Sequence, residues 1–264
     1  MKVEAYLEFA KRAFSREGTY RTEVFTHIGS IVLRVYLIMV VWSALYRGNG
    51  VRQNVPLHST ITYLVLALLI GLIYNVNGAY VVRERIREGS IAIDFMRPIS
   101  IPWYVFFDTV GQTGFAVLQI IPALALALLI VHVDAPSSIA AFAAFVASVA
   151  VGFVVNFFLD MMMATITFWT MEIFGIQLMV QFITSLLSGA VVPLYFFPGA
   201  LQKVVVALPF AAIYNAPLSI YIGRVHGVEI AQTLAVQVLW AAVFGSMSFL
   251  LWRVGERRVV IQGG

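Results

Sequence analysis

Residues 81–102 read VVRERIREGSIAIDFMRPISIP and form a charged segment between two apolar runs, each long enough to cross a bilayer. The segment holds four arginines and three acids: Arg83, Arg85, Arg87 and Arg97 with Glu84, Glu88 and Asp94. In a helix, Glu84 and Arg87 are i,i+3 neighbours of opposite charge. Arg85 and Glu88 repeat this spacing, and such pairs are typical of a helix surrounded by water.

A break in the middle of the segment divides it into two helices. Gly89 can end the first helix because glycine tolerates the left-handed conformation of a C-terminal cap. Ser90 can then cap a second, shorter helix, and Pro98 and Pro102 close the segment.

The second helix is predicted to be amphipathic. Ile91 and Phe95 share one face, with Asp94 and Arg97 off it. A short amphipathic helix on a charged, membrane-side loop has the form of a docking element for another protein. A solvated loop that follows the positive-inside rule explains the same pattern.

The composition indicates an integral membrane protein. Of 264 residues, 61% are hydrophobic and 11% are charged, and the mean hydropathy is +0.91; soluble domains are about 25% charged. The net charge is +4, but the basic residues lie beside apolar runs instead of forming one patch, so orientation in the membrane explains them better than nucleic-acid binding. The absence of cysteine excludes disulfides and thiolate metal sites.

The apolar runs predict six transmembrane helices in one domain over residues 1–264, at about 24–46, 59–82, 103–131, 139–158, 176–192 and 228–252. Residues 1–23 precede them as an interfacial amphipathic helix with Val3, Tyr6, Leu7, Ala10 and Phe14 on its apolar face. Residues 193–227 contain four prolines, which exclude one straight helix, and predict a re-entrant hairpin of short helices at 199–208 and 211–222. The predicted fold is therefore all-α.

Two spans carry polar residues in unusual positions. Arg34 lies inside the first span, where it must face other helices, water or a lipid headgroup. In the fifth span polar residues recur along one helical face: Gln177, Gln181, Thr184, Ser185 and Ser188. Such a stripe either joins helices or lines a path, and we favour the path.

The distribution of positive charge predicts the orientation. With six spans, one side holds 12 lysines and arginines: Lys2, Lys11, Arg12, Arg16, Arg21, Arg83, Arg85, Arg87, Arg97, Arg253, Arg257 and Arg258. The other side holds 4, namely Arg47, Arg52, Lys203 and Arg224. The positive-inside rule then places both termini and the charged segment in the cytoplasm.

The sequence carries no pattern for catalysis or metal binding. It lacks the GxxxxGK[ST] phosphate loop, the GxSxG elbow and the HExxH motif. Its histidines, His27, His58, His132 and His226, lie in separate segments, so we expect no metal site. The chain is not expected to be an enzyme.

Three groups of residues together carry a resemblance to a known family. The loop places Ile86, Gly89, Ile91, Phe95, Arg97 and Pro98 in a characteristic order, and TYR at 19–21 and VW at 41–42 precede it. The hairpin follows with Gly189, Pro193, Phe197, Pro198, Leu208, Pro209 and Phe210. In this order the chain resembles the permease subunits of ABC-2 type exporters, in particular the DUF990-like branch, over nearly its whole length.

The resemblance implies half of an ATP-driven exporter of the inner (plasma) membrane. A second permease, identical or homologous, and two copies of an ATP-binding subunit would complete it, and ATP and Mg would be bound by that partner subunit. The coupling surface would comprise Glu84, Arg87, Glu88, Gly89, Asp94 and Arg97 of the loop at 83–102. The translocation path would include Arg34, Gln177, Gln181 and Ser185.

Two alternatives come from other functional classes. An ion- or proton-coupled carrier requires intramembrane acids, and Asp160 is one candidate. A membrane-embedded enzyme requires clustered acids or histidines, which the sequence lacks.

A path of few fixed charges is compatible with amphiphilic small molecules, drugs, lipids or short peptides.

Overall fold

The computed structural model describes residues 2–19, 21–48, 51–75, 78–96, 99–170 and 173–262. Over these ranges the chain forms eleven α-helices: α1 (Lys2–Glu17), α2 (Arg21–Leu45), α3 (Leu57–Ile73), α4 (Gly78–Arg87), α5 (Ile91–Phe95), α6 (Ile101–Leu128), α7 (Ile139–Thr170), α8 (Phe174–Leu187), α9 (Gly199–Ala207), α10 (Asn215–Tyr221) and α11 (Val228–Gln262). A small antiparallel hairpin, β1 (Val51–Arg52) with β2 (Val55–Pro56), connects α2 to α3. The all-α prediction is correct.

Apolar helices make the chain a multi-pass membrane protein. In the described ranges α2, α6, α7 and α11 are long and apolar enough to cross a bilayer, whereas α3 and α8 are apolar but shorter. α3 has 17 residues and α8 has 14. At 1.5 Å per residue they extend about 25 Å and about 21 Å, against a hydrocarbon core of about 30 Å. Four of the six predicted runs therefore contain a helix of full spanning length, and the other two contain shorter apolar helices.

The second predicted span, 59–82, is not one helix, and this part of the prediction is wrong. Tyr74 and Asn75 lie between α3 and α4 and outside both. α7 stabilises the break, because Asn156 Nδ2 donates a hydrogen bond to the Tyr74 carbonyl at 3.0 Å. Tyr74 Oη in turn donates to the Val149 carbonyl at 3.0 Å. Since a side chain satisfies the carbonyl, the helix can end inside the protein.

α7 is the central helix and packs against α4, α10 and α11. It continues without interruption to Thr170, well beyond the predicted end of the fourth span at about residue 158. A buried polar contact joins α7 to α11, because the hydroxyl of Ser148 donates to Gln237 Oε1 at 2.7 Å. Gln237 Nε2 also donates to the Ala212 carbonyl at 2.7 Å, which ties both helices to the segment before α10.

The N-terminal helix packs along α6. Tyr6 stacks on Phe107 with ring centroids 5.5 Å apart. A Cβ atom added to Gly111 of α6 would lie 2.1 Å from the Ala10 carbonyl oxygen, so the two backbones meet where only glycine fits. Of the predicted apolar face, Tyr6, Ala10 and Phe14 contact α6, whereas Leu7 is half-exposed.

An ion pair also fixes α1 to α6. Arg16 Nη2 lies 3.0 Å from Oδ2 of the buried Asp108, to which Gln112 Nε2 also donates. Burial alone would lower the pKa of Arg16, but the hydrogen bond and the negative charge of Asp108 outweigh it and raise the pKa above its ordinary value.

The proline-rich segment 193–227 is broken into short helices as predicted. α9 and α10 lie within the predicted ranges 199–208 and 211–222, with a 3-10 turn at Pro209–Ala212 between them. α10 is buried against α3 and α7, and its Leu218 and Ile220 belong to the largest apolar core cluster.

Candidate functional site: a charged helical loop and a polar cleft

The charged segment forms two helices that meet at Gly89. Its φ of +72° is the left-handed conformation predicted for a helix end, and its N–H donates to the Ile86 carbonyl at 3.1 Å. Ser90 does not cap α5, contrary to the prediction. Its hydroxyl instead donates to the Arg85 carbonyl at 3.3 Å and so satisfies the C-terminal end of α4.

A salt bridge inside the loop joins α4 to α5. Arg85 Nη1 contacts Asp94 Oδ2, and Arg85 Nη2 donates to Tyr104 Oη of α6 at 3.1 Å. The guanidinium lies 4.8 Å from the centroid of the Tyr104 ring. Asp94 is only 6% exposed and lies on the packed side of α5, not off it as predicted. The pairing with Arg85 offsets the cost of burying this carboxylate.

The apolar side of the loop packs into the membrane helices. Ile91 is 2% exposed and belongs to a cluster with Val82 of α4, Val105 of α6 and Met161 of α7. Phe95 packs against the same cluster, which confirms that Ile91 and Phe95 share a face. The loop is therefore built on α6 and α7 and is not a freely solvated connection.

The opposite side of the loop is exposed. Arg87, Glu88, Gly89, Ile93 and Met96 are accessible, and Met96 is 85% exposed; these five residues are called the loop surface below. Glu84 lies beneath it and pairs with Arg87 at 3.4 Å, as its spacing predicts. The second predicted pair does not form, because Arg85 turns to Asp94. Arg97 lies outside the described residues.

A polar cleft lies between α8, α7 and the break after α3. Three of the predicted path residues line it together: Gln177, Gln181 and Ser185. Facing them are Tyr74, Asn75, Asn156, Asp160 and Tyr214, and the remaining lining residues are Leu159, Met163, Val180, Thr184 and Ala190. The cavity has a volume of about 230 Å³. The stripe on α8 therefore faces a cavity and does not serve only to join helices.

Arg34 does not belong to this cleft. It is exposed on α2, next to Leu33, which is 60% exposed, and near Leu37, which is 49% exposed. Among the residues predicted for the path it is thus the one that the fold separates from the others.

Several cleft residues were not predicted from the sequence. Asn156 is a single amide in an apolar run and Asn75 lies two residues before Asn77, and both signals also fit helix packing. In the sequence, Asp160 is notable only as an acid within an apolar run. The break that exposes Asn75 to the cleft arises from the hydrogen bond between Asn156 and Tyr74, which are far apart in the sequence.

α2 and α8 present exposed apolar faces, as do α6 and α11. α2 exposes Leu33, Tyr36, Leu37, Val40, Val41 and Leu45, and α8 exposes Phe174, Ile176, Leu178, Met179, Phe182 and Leu186. None of the residues Phe174–Leu187 that form α8 is buried. These faces must contact lipid or another apolar protein surface.

The described residues contain no group of three acids or histidines arranged to hold a metal ion. The described helices thus form a multi-pass membrane protein with a polar cleft between its helices and a structured charged loop. The chain belongs to the ABC-2 family transporter proteins, whose family model matches residues 30–263. The comparison with curated proteins found no match.

Proposed function

We propose that this chain is the permease subunit of an ATP-driven exporter. Two copies of a separate ATP-binding subunit would bind ATP and Mg and carry out hydrolysis, while this chain and a second permease, identical or homologous, form the path. The observation that carries the proposal is a structured charged loop in a chain of the ABC-2 transporter family.

The loop surface is proposed as the docking site for the ATP-binding subunit. It combines two charges, Arg87 and Glu88, with two exposed apolar side chains, Ile93 and Met96. Apolar anchors surrounded by charges are typical of protein interfaces. Asp94, which the sequence suggested as a docking charge, supports this surface from inside through Arg85.

Movement of the loop can reach the cleft through rigid contacts. Arg85 connects α4 and α5 to Tyr104 of α6, and the cluster around Ile91 connects them to α7. α4 also begins beside the cleft, since a Cβ atom on Gly78 would lie 3.0 Å from Asp160 Oδ2. A partner that binds the loop better in one of two arrangements would shift the cleft between them.

The proposed topology has six spans, with both termini and the loop in the cytoplasm of a cell with an inner (plasma) membrane. α3 and α8 would be the two short spans, and α9 with α10 would form a re-entrant hairpin on the outer side. The charge distribution of 12 against 4 supports this orientation. The α1 helix would then lie on the cytoplasmic side, next to the loop.

The exposed faces of α2 and α8 are proposed to meet the second permease. An apolar face gains little by contact with lipid alone, whereas close packing between helices contributes van der Waals energy. Arg34, on the exposed face of α2, would lie at this junction or at a lipid headgroup. The path would then run between two permeases, next to the cleft of each.

Charge reversal on the loop surface tests the docking proposal. We expect Arg87→Glu and Glu88→Arg to abolish stimulation of the ATP-binding subunit and export, while membrane insertion stays intact. Glu229→Lys is a matched control, because Glu229 is an exposed acid at the start of α11, at the proposed outer side.

Two results would reject the proposal. The first is normal export and ATPase stimulation by both loop variants. The second is transport by the purified chain in proteoliposomes that contain neither nucleotide nor a second protein, which would favour an ion- or proton-coupled carrier.

A further inference from the structure

A second pocket, separate from the polar cleft, lies between α6, α7 and α11 and is called the aromatic pocket below. Two of its lining residues are exposed, Trp103 of α6 at 47% and Phe249 of α11 at 38%. Their ring centroids are 6.1 Å apart. Phe157 and Met161 of α7 and Trp252 of α11 also line the pocket and are buried. The pocket therefore opens at the surface between α6 and α11 and extends inward to α7.

The aromatic pocket fits a hydrocarbon chain. Its volume of about 200 Å³ equals that of about seven water molecules at about 30 Å³ each. A water molecule in a cavity needs about two to four polar partners, whereas Ser248 is the one hydroxyl residue in this lining. An empty pocket would deprive the side chains around it of van der Waals contacts. In a bilayer, lipid acyl chains are the flexible apolar groups that can fill it.

Positive charge continues from the aromatic pocket along α11. Phe249, Arg253 and Arg257 are four residues apart, so they lie on one face of the helix. At 1.5 Å per residue, each arginine lies about 6 Å further along the helix axis than the residue before it in this row. Both arginines are exposed. Residues 253–258 contain three arginines and one glutamate, so the segment is positively charged.

We propose that the aromatic pocket and these two arginines bind an anionic phospholipid of the cytoplasmic leaflet. One acyl chain would enter between Trp103 and Phe249, and the phosphate would lie at Arg253 and Arg257. The arginine guanidinium is suited to phosphate because it can donate two parallel hydrogen bonds. This inference goes beyond the proposed function and uses only the proposed orientation of α11.

The headgroup decides which lipid binds more tightly. Phosphatidylglycerol carries a net negative charge, whereas the choline of phosphatidylcholine cancels the charge of its phosphate. Each lysine or arginine near a membrane surface strengthens the binding of anionic lipid about fivefold. An acyl chain alone gives no preference, so a preference for phosphatidylglycerol reports the arginines and not the pocket.

The test uses lipids with bromine on their acyl chains, which quenches the fluorescence of tryptophans that the chain reaches. The chain is reconstituted in vesicles of phosphatidylcholine, and dibrominated phosphatidylglycerol or dibrominated phosphatidylcholine is added in steps. Trp252 is only 4% exposed, so lipid that merely surrounds the protein reaches it poorly. Its contribution is the difference between wild type and Trp252→Phe. We expect half-maximal quenching of Trp252 at a mole fraction at least about fivefold lower for phosphatidylglycerol.

Arginine variants test the headgroup contact. The double variant Arg253→Gln with Arg257→Gln should remove the preference for phosphatidylglycerol. Arg258→Gln is the matched control at the same end of α11, because the Arg258 guanidinium lies 5.8 Å from the ring centroid of Trp169. This control should keep the preference, which separates a bound phosphate from a general effect of surface charge.

A valine variant tests the acyl-chain contact. Val154 lines the aromatic pocket, so Val154→Phe adds a ring inside it and should reduce quenching of Trp252 by both lipids. Val110→Phe adds the same ring on the exposed side of α6, outside the lining, and should leave quenching unchanged. The exposed arginines test the proposal independently if Val154→Phe does not fold.

Three results would overturn the inference. The first is equal quenching of Trp252 by both lipids. The second is a preference that survives in the double arginine variant or is lost equally in Arg258→Gln. The third is quenching by neither lipid, which would assign the pocket to a protein side chain. These measurements need no ATP-binding subunit, so a negative outcome here leaves the proposed function to be judged by the loop variants.

Discussion

Removing Asp94 should loosen the charged loop without unfolding the protein. Asp94 is 6% exposed and its partner Arg85 has a side chain that is 26% exposed. Breaking a fully buried pair costs about 3 to 5 kcal/mol. In Asp94→Ala, water reaches part of the Arg85 guanidinium, and Tyr104 still accepts its hydrogen bond. We therefore expect Asp94→Ala to lower the free energy of opening the loop by about 2 kcal/mol.

This cost should appear as local opening of the loop. A loss of about 2 kcal/mol raises the population of the open state about 30-fold. Hydrogen exchange followed by mass spectrometry would report this as faster exchange of the amides in 78–96. The amides of α7 should keep their wild-type rates, because α7 is held mainly by other contacts.

A double-mutant cycle separates the salt bridge from general damage. Arg85→Ala, Asp94→Ala and the double variant should be strongly non-additive, since either single change removes the same contact. Glu88→Ala is the matched control in the same loop, because Glu88 is exposed. Additive effects in the cycle, or unchanged exchange in Asp94→Ala, would refute the assignment of this pair as the support of the loop.

Three further predictions concern other contacts. Gly111→Ala should displace α1 from α6 and lower the melting temperature in detergent, because the added Cβ would overlap the Ala10 backbone. Gly199→Ala is the control and should keep the wild-type melting temperature, because a Cβ at this position meets nothing within 4 Å. Equal melting temperatures of the two variants would contradict the contact between α1 and α6. Asn156→Leu should lower the free energy of unfolding by about 1 to 3 kcal/mol, because it leaves the Tyr74 carbonyl without its hydrogen-bond donor. Denaturant titrations would measure this loss, with Gln181→Leu as the control variant. Asp108→Asn should expose α1 to protease, because it removes the negative charge that pairs with Arg16. Raising the pH from about 6 to about 9 should not release wild-type α1, because the ordinary pKa of arginine lies far above this range and the pKa of Arg16 is raised further; release of α1 in that range would contradict this.

The amphipathic and apolar patterns in the sequence predicted much of the fold. Periodicity is a local property, so the helices around Arg34, the stripe from Gln177 to Ser185 and the stop at Gly89 could be predicted from neighbouring residues. The proline positions likewise predicted the short helices of 193–227, because proline acts on its own helix turn.

The positions that the sequence predicted wrongly depend on distant partners. Asp94 looked like a surface charge because a carboxylate usually faces water, but it is buried in an ion pair with Arg85, which Tyr104 also binds. The break at Tyr74 looked like the middle of a span, but Asn156 of α7 captures its carbonyl. Neither partner can be identified from local pattern, since both contacts join separate helices.

The sequence by itself determined that this protein is all-α, lies in a membrane and belongs with ABC-2 permeases, because apolar run length and motif order are written along the chain. Only the tertiary structure decided which polar residues meet. It joined Gln177, Gln181 and Ser185 to Asp160 in one cleft and left Arg34 outside, because packing angles between helices, and not spacing within them, bring side chains together.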